Sequence, residues 1–436
     1  MNILLAAFEA APFAKAGGLG DVIGSLPAAL NAMGHDCRVI MPKHTDCDCS
    51  HLADFRVRLG WRDQYCGIET AQADGVTYYL IDNEYYFGRG SIYGYDDDTE
   101  RAAFFSKAAA ESPERIGGYR PDVIHCNDWH AALIPLLLKG RAKTVLTIHN
   151  LRFQGACPQW VIGDMLGLEN DEEACSALRW HDGANFLKAG IVCADRVTTV
   201  SPSYAEEICT EEYGEGLDPI LRMRRGSLCG ILNGIDCEKW TPCASKEELR
   251  SELGLGQDER APLFAMVSRL TEQKGVELVL ACADRLIEAG GQLAVLGTGR
   301  EDYEKELQRL AERRPGRAAA CIRFDEGLSH RMFSGADYVL VPSVFEPCGL
   351  TQMMAMRCGA VPIVRRTGGL KDSVTNGVNG IVFDNADADG LWRALSEALE
   401  IYGGDKWRAM RENALGCDFS WSRSAGEYIR LYESIS

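Results

Sequence analysis

From Pro262 onward the chain alternates short apolar runs with amphipathic ones. "PLFAMVSRL" reads as a buried strand. "KGVELVLACADRLIEAG" reads as a helix whose Val276, Val279, Leu280, Ala283, Leu286 and Ile287 share one face. "QLAVLGTG" predicts the next strand, "EDYEKELQRLAERRPG" a charged surface helix, and "AACIRFDEG" a third strand. The pattern continues with "DYVLVPS", the helix "GLTQMMAMRCG", the strand "VPIVRRTGG", a short helix "LKDSVTNG", the strand "NGIVFD" and the helix "ADGLWRALSEALEIYGG". Continuous apolar strands alternating with helices predict a parallel sheet covered on both faces.

The first half repeats this theme. "NILLAAFE", "DCRVIMP", "VTYYLIDN", "PDVIHCND", "KTVLTIHN" and "DRVTTVS" read as strands, and "HAALIPLLLKG" as a helix. Pro27 leaves two readings of the opening helix: it begins near Ser25, or it is kinked at the proline. The expected fold is α/β, with two doubly wound domains at 1–235 and 236–418 and a helix over 419–436. The Gly- and Pro-punctuated "ILNGIDCEKWTP" is the expected hinge. Ligands of doubly wound sheets bind beyond the carboxyl ends of the strands, so two facing sheets would share a cleft.

Composition narrows the class. The 436 residues are 46% hydrophobic and 25% charged, as in a soluble globular protein of two domains. A formal net charge of −17 opposes wrapping nucleic acid or lying on an anionic membrane. No apolar run approaches the roughly 20 residues of a membrane span. Glu9 interrupts the first apolar run and no early cations precede it, so a cytoplasmic protein is expected rather than a secreted one. Seventeen cysteines scattered through core-like segments read as reduced, buried thiols. The cluster His44, Cys47, Cys49 and His51 is a possible metal site, but its spacing matches no common zinc pattern.

Candidate chemistry gathers just after the strands. In "KAGGLGD", Gly17, Gly18 and Gly20 follow Lys15, allowing backbone amides to approach an anion beside a positive helix end. The dinucleotide fingerprint fails at Ile23, and no Walker A sequence exists. Arg269 and Lys274 follow the first strand of the second half, where two cations suit a diphosphate. Glu346 follows "DYVLVPS", Pro347 stiffens its loop, and Gly349 permits close backbone approach ahead of a helix starting near Leu350 and Thr351. Asp128, His130 and His149 end strands of the first half. "DDD" at 96–98 raises a metal-binding alternative, set in a polar Tyr/Gly loop. Trp61, Tyr85, Tyr86 and Tyr93 are expected to be exposed aromatics able to stack on sugar.

"KAGGLGDV", "NDWHAAL", "TIHNLRFQG", "NFLKAGIVCADRVTTVSPSYAEEI", "LNGIDCEKWTP", "SRLTEQKG", "FEPCGLTQMMAM" and "RRTGGLKDSV" together resemble bacterial glycogen synthases and starch synthases, in order from Lys15 to about Val374. The resemblance implies a GT-B fold: two facing Rossmann-like domains, with the C-terminal helix crossing back to the first. It implies transfer of glucose from ADP-glucose to the non-reducing end of an α-1,4-glucan with retention, without a metal or other cofactor.

Carried over by position, Lys15, Gly17, Gly18 and Asp21 belong to the nucleotide-sugar site, and Arg269 with Lys274 to the diphosphate. His149 would lie beside the anomeric carbon. Asp128, Asn233, Glu346, Cys348 and Gly349 would hold glucose hydroxyls, and Leu350 with Thr351 the distal phosphate. The family often has threonine where Ala16 stands, and the segment from His44 to Trp61 does not align. No carboxylate obviously serves as the nucleophile of a double displacement, which leaves a front-face substitution. The alternatives are another retaining GT-B enzyme using a UDP-sugar, and a catalytically silent glucan-binding protein.

Overall fold

The computed structural model describes residues 1–435. They form two compact units, one of Met1–Gly234 with the segment from Trp421, the other Ile235–Ser420. The strands in chain order are β1 (Asn2–Ala6), β2 (Asp36–Pro42), β3 (Ser50–Leu59), β4 (Arg62–Ala73), β5 (Val76–Asp82), β6 (Val123–Asn127), β7 (Lys143–Ile148), β8 (Ala156–Pro158), β9 (Arg179–Trp180), β10 (Gly183–Asn185), β11 (Arg196–Thr199), β12 (Leu228–Gly230), β13 (Leu263–Val267), β14 (Gln292–Leu296), β15 (Ala318–Cys321), β16 (Tyr338–Val341), β17 (Val361–Arg365) and β18 (Ile381–Phe383).

The first unit is built on a nine-stranded sheet of order β12-β11-β7-β6-β1-β2-β5-β4-β3. Its apolar strands follow from burial on both faces. In β1, Leu4 and Ala6 enter one core with Phe8, Phe104 and Leu133, while Ile3 and Leu5 enter another with Ile23, Leu26 and Tyr428. Order reverses between β1 and β6, so the segments after these neighbours diverge and leave room for a ligand.

One element departs from the sequence expectation. The unaligned segment after His44 forms β3 and β4, an antiparallel hairpin that extends the parallel sheet at its edge. Its strands alternate exposed and buried positions, as in "SHLADFRVRL", because only one face meets the core. Such an alternating pattern lacks the continuous apolar run that marks the other strands. A small antiparallel sheet, β8-β10-β9, lies outside the main one.

The helix Gly18–Ala32 runs uninterrupted through Pro27. It therefore starts well before Ser25 and holds Pro27 in its interior. The helix Trp421–Glu433 packs on it, and Trp421, Ala425, Tyr428 and Tyr432 join the same core as Leu26 and Leu30. The Tyr432 hydroxyl meets Nδ1 of buried His125 at 2.8 Å, tying this helix to β6.

The second unit has six parallel strands in the order β15-β14-β13-β16-β17-β18, with its own core around Phe264, Leu293 and Ile363. Here the order reverses between β13 and β16. Among the described residues no helix is long and apolar enough to cross a membrane.

Candidate active site

In the first unit the glycine segment leaves β1 and enters the helix Gly18–Ala32. Its amides do not stand open to an incoming anion. Ala16 and Gly17 donate to the Glu9 carboxylate, the latter at 3.2 Å. Glu9 is buried, and that burial raises its pKa against the lowering effect of the amide bonds. Lys15 reaches forward to Asp21 at 2.7 Å, leaving both groups partly exposed at the head of the helix. The expectation of free amides at Gly17 is thus corrected: a carboxylate already holds that turn. Glu9 had a sequence signal, since it is the lone acid within an apolar run.

Asp128 and His149 follow β6, the neighbour of β1, and β7, the neighbour of β6. Asp128 Oδ1 accepts the His149 amide at 2.7 Å. Burial pushes its carboxyl up to about 7, against the lowering effect of the amides of His149 and Asn150. The residue adopts φ 57°, a left-handed conformation costly for a non-glycine and characteristic of functional turns. His149 Nε2 lies 2.9 Å from Asn127 Oδ1, an arrangement that makes Nε2 the protonated nitrogen. Burial lowers its pKa to about 3, so the ring is a neutral polar group at physiological pH.

His130 takes no part in this edge. It is stacked on Phe8 with ring centroids 4.6 Å apart, and Trp129 lies against it, so it is a packed core residue. Asn233 is buried after β12, and its Oδ1 lacks a hydrogen-bond partner among the described residues. Such an orphaned acceptor is suited to a ligand hydroxyl.

The second unit assembles its groups at its own switch point. Arg269 and Lys274 follow β13, and Glu346 follows the adjacent β16. Lys274 Nζ lies 2.5 Å from Glu346 Oε2, which also accepts the Ser343 hydroxyl at 2.8 Å. Arg269 is exposed and has no carboxylate partner among the described residues. Gly349 has φ 74°, and a Cβ there would meet Gln352 at 2.5 Å. That turn sets Leu350 ahead of the helix Thr351–Cys358, whose first amides have no partner within the helix.

The glycines of "RRTGGLKD" have a packing reason. The Gly369 amide donates to the Glu346 carbonyl at 3.1 Å, and a Cβ on Gly369 would come within 2.2 Å of the Cys348 carbonyl. Thr271 Oγ1, Gln352 Oε1 and Thr367 Oγ1 are buried in this unit without partners. Hydroxyls and amides carry no charge pattern, so these three groups leave no mark in the sequence.

Several residues of the two metal alternatives make local contacts. His44 Nε2 meets the Phe8 carbonyl at 2.8 Å, Cys49 donates to Glu69, and His51 pairs with Asp54. Asp97 forms a bidentate pair with Arg89, both contacts at 2.6 Å. Asp98 pairs with Arg101, which is fully buried. Among the described residues no group of three or more His, Cys, Asp or Glu could hold a metal ion. Of the aromatics expected at the surface, Trp61 and Tyr85 are exposed. Tyr86 is fully buried with its hydroxyl on Glu100, and Tyr93 packs against Phe8.

Comparison with known proteins bears on both units. Residues 2–223 match the family described as "Starch synthase catalytic domain", and residues 245–415 match "Glycosyl transferases group 1". A glycogen synthase of Desulfitobacterium hafniense is 43% identical over 100% of this chain and 99% of its own length. That of Geobacillus stearothermophilus is 42% identical over 100% and 98%. The catalytic domain of starch synthase IV from Arabidopsis thaliana, solved with ADP and acarbose, superimposes with a TM-score of 0.89 at 33% identity, covering 99% of this chain and 98% of that one. A sucrose-phosphate synthase from Thermosynechococcus elongatus, at 19% identity and a TM-score of 0.65 over 99% of this chain and 98% of that one, shares the fold. The chain belongs to the glycogen synthase family, glycosyltransferases of the GT-B fold.

Proposed function

We propose that this enzyme transfers glucose from ADP-glucose to the non-reducing end of an α-1,4-glucan with retention at the anomeric carbon. The observation that carries the reading is the Lys274–Glu346 pair at the β13–β16 switch point, with Arg269, exposed and without a carboxylate partner among the described residues, after the same strand β13. Two cations after one strand match a diphosphate that gains charge as it departs. A neighbouring carboxylate matches sugar hydroxyls. The ADP and acarbose on the Arabidopsis neighbour support a nucleoside diphosphate product and an oligosaccharide acceptor.

In this reading Arg269 and Lys274 bind the diphosphate and neutralise its developing charge, with the amides at Thr351 meeting the distal phosphate. Glu346, Asn233, Asp128 and the backbone at Cys348 and Gly349 hold glucose hydroxyls. Lys15, Gly17, Gly18 and Asp21 serve the nucleotide sugar, the glycines through a turn that Glu9 braces. Glu346 is engaged by Lys274 and Ser343, which suits gripping rather than nucleophilic attack.

The acceptor 4-hydroxyl attacks C1 from the face that the diphosphate leaves. The new C1–O bond forms as the C1–O(phosphate) bond breaks, and the departing phosphate oxygen takes the hydroxyl proton. Positioning and charge neutralisation supply the rate. The cations do the work of a metal, so none is required. The enzyme works in the cytoplasm, where its cysteines stay free thiols.

The deciding experiment measures ADP or UDP release from ADP-glucose and UDP-glucose, in parallel, with glycogen as acceptor. ADP-glucose should support elongation and UDP-glucose much less. Elongation from neither donor would refute the reading.

A further inference from the structure

The first unit carries a groove of about 990 Å³ that none of the proposed catalytic groups enters. Two tryptophans line it, and both face solvent: Trp61 is 80% and Trp160 57% exposed. Large exposed indoles cost solvation free energy unless something covers them in use. The walls between them are fixed. Lys107 Nζ donates to the Arg58 carbonyl at 2.7 Å and the Leu166 carbonyl at 2.9 Å, joining three segments of the rim. Gly60 takes φ 57° where a Cβ would lie 1.9 Å from the Asp164 carbonyl, so the β3–β4 turn sits directly on the far wall.

The chemistry of the groove suits a neutral polyol. Arg58, Lys107 and Arg179 stand against Asp164 and Glu169, a near balance of charge that favours neither a polyanion nor a polycation. Guanidinium, carboxylate and the Gln159 amide offer both donors and acceptors to hydroxyls. Flat apolar faces flanked by such groups match a sugar ring, which has an apolar face and a polar rim.

Topology adds a direction. β4 is antiparallel to β5 and β3 antiparallel to β4, so β3 runs the same way as β1. The Gly60–Trp61 turn after β3 therefore lies at the same carboxyl edge of the sheet as Asp128 and His149. Trp160 is eleven residues beyond His149 in the chain, at most about 40 Å away along an extended backbone.

We propose that this groove is an auxiliary α-1,4-glucan site, in which Trp61 and Trp160 stack on sugar rings of the polymer whose end is being extended. The inference rests on the glucan-elongating function proposed above. Its value to the enzyme is avidity: a polymer held at a second point returns its chain ends to the active site at high effective concentration.

The test uses Trp61→Ala, Trp160→Ala and the double variant. Each is assayed by native electrophoresis through gels containing glycogen and by kinetics with glycogen and with maltotetraose. Both side chains are exposed, so thermal unfolding should match the parent. The double variant should lose most of its retardation by glycogen and show a KM for glycogen raised about 5-fold or more. Its kcat, and its kinetics with maltotetraose, should stay within 2-fold of the parent. Unchanged retardation and unchanged KM for glycogen would overturn the groove assignment while leaving glucose transfer intact. A parent enzyme that elongates neither acceptor would instead refute the proposed function. Parallel losses with both acceptors would show that the tryptophans act at the active site and would overturn an auxiliary site.

Discussion

Lys274 and Glu346 meet at 2.5 Å although 72 residues separate them, because β13 and β16 are neighbours at the point where the strand order of the second sheet reverses. The lysine is mostly buried and the carboxylate more so. Replacing Lys274 by Ala removes the charge that would face the diphosphate and also leaves Glu346 without its cation. We expect kcat to fall by about 10²–10³, or roughly 3–4 kcal/mol of transition-state stabilisation. Steady-state kinetics giving a kcat within a few-fold of the parent would remove Lys274 from the site.

Arg269 separates chemistry from stability. Its guanidinium is exposed and has no carboxylate partner among the described residues, so truncation should change folding stability by no more than about 0.5 kcal/mol. Activity should nonetheless drop about 100-fold if it contacts the leaving group. Calorimetry and kinetics on Arg269→Ala measure the two effects independently. A stable, fully active variant contradicts the role assigned to it.

Glu9 braces the glycine turn. Glu9→Ala leaves the exposed Ala16 and Gly17 amides to water and removes the brace on the turn, with an expected loss of about 0.5–1.5 kcal/mol in denaturant unfolding. Donor KM should rise as the turn loosens. Glu9→Gln keeps an acceptor oxygen and should recover a large part of both. Equal damage from Gln and Ala would mean that the negative charge, rather than the hydrogen bonds, is what matters.

Asp128 should make stability and activity depend on pH near neutrality. An unfolded aspartate titrates near 4, roughly three units below its folded value of about 7. The protonated form is therefore favoured by folding. The associated stability is complete below about pH 4 and is lost as pH rises through about 7. Asp128→Asn should accordingly stabilise the protein at pH 8 by roughly 1 kcal/mol, less than full linkage implies because water reaches the half-buried group. In activity, kcat/KM should rise through pH 7 as the carboxylate ionises to accept a sugar hydroxyl. A flat profile in the parent from pH 5.5 to 8.5 contradicts that assignment.

Charge neutralisation by Arg269 and Lys274 predicts independence from divalent ions. Prolonged treatment with EDTA should leave the rate of ADP release within 2-fold. Inhibition that magnesium or manganese reverses would show that side chains alone do not carry the diphosphate.

The parts legible in the sequence were those with period or charge. β1, β13, β14 and β17 are apolar on both faces and stand out as continuous runs, and Arg269, Lys274 and Glu346 are charges at strand ends. β3 and β4 were not legible because one face is solvated and their polar positions resemble loop. Tyr86 and Tyr93 looked exposed because their neighbours are Gly and Asp. Yet Arg101, buried beneath them, bonds the Tyr86 and Ile92 carbonyls and draws the loop inward. Glu9 is legible as a break in an apolar run, but its return onto the glycine turn depends on the folded chain. Thr271 and Thr367 gave no signal, since an unpartnered hydroxyl is visible only once its surroundings are known.

The helix Trp421–Glu433 has a consequence for biogenesis. It completes the core around Leu26 and Leu30, yet the ribosome makes it after the whole of the second unit. Residues 235–420 can close on themselves while the earlier-born part still exposes an unfilled apolar stripe on Gly18–Ala32. In a nascent chain of this kind that stripe stays uncovered until Trp421, Ala425 and Tyr428 have been made.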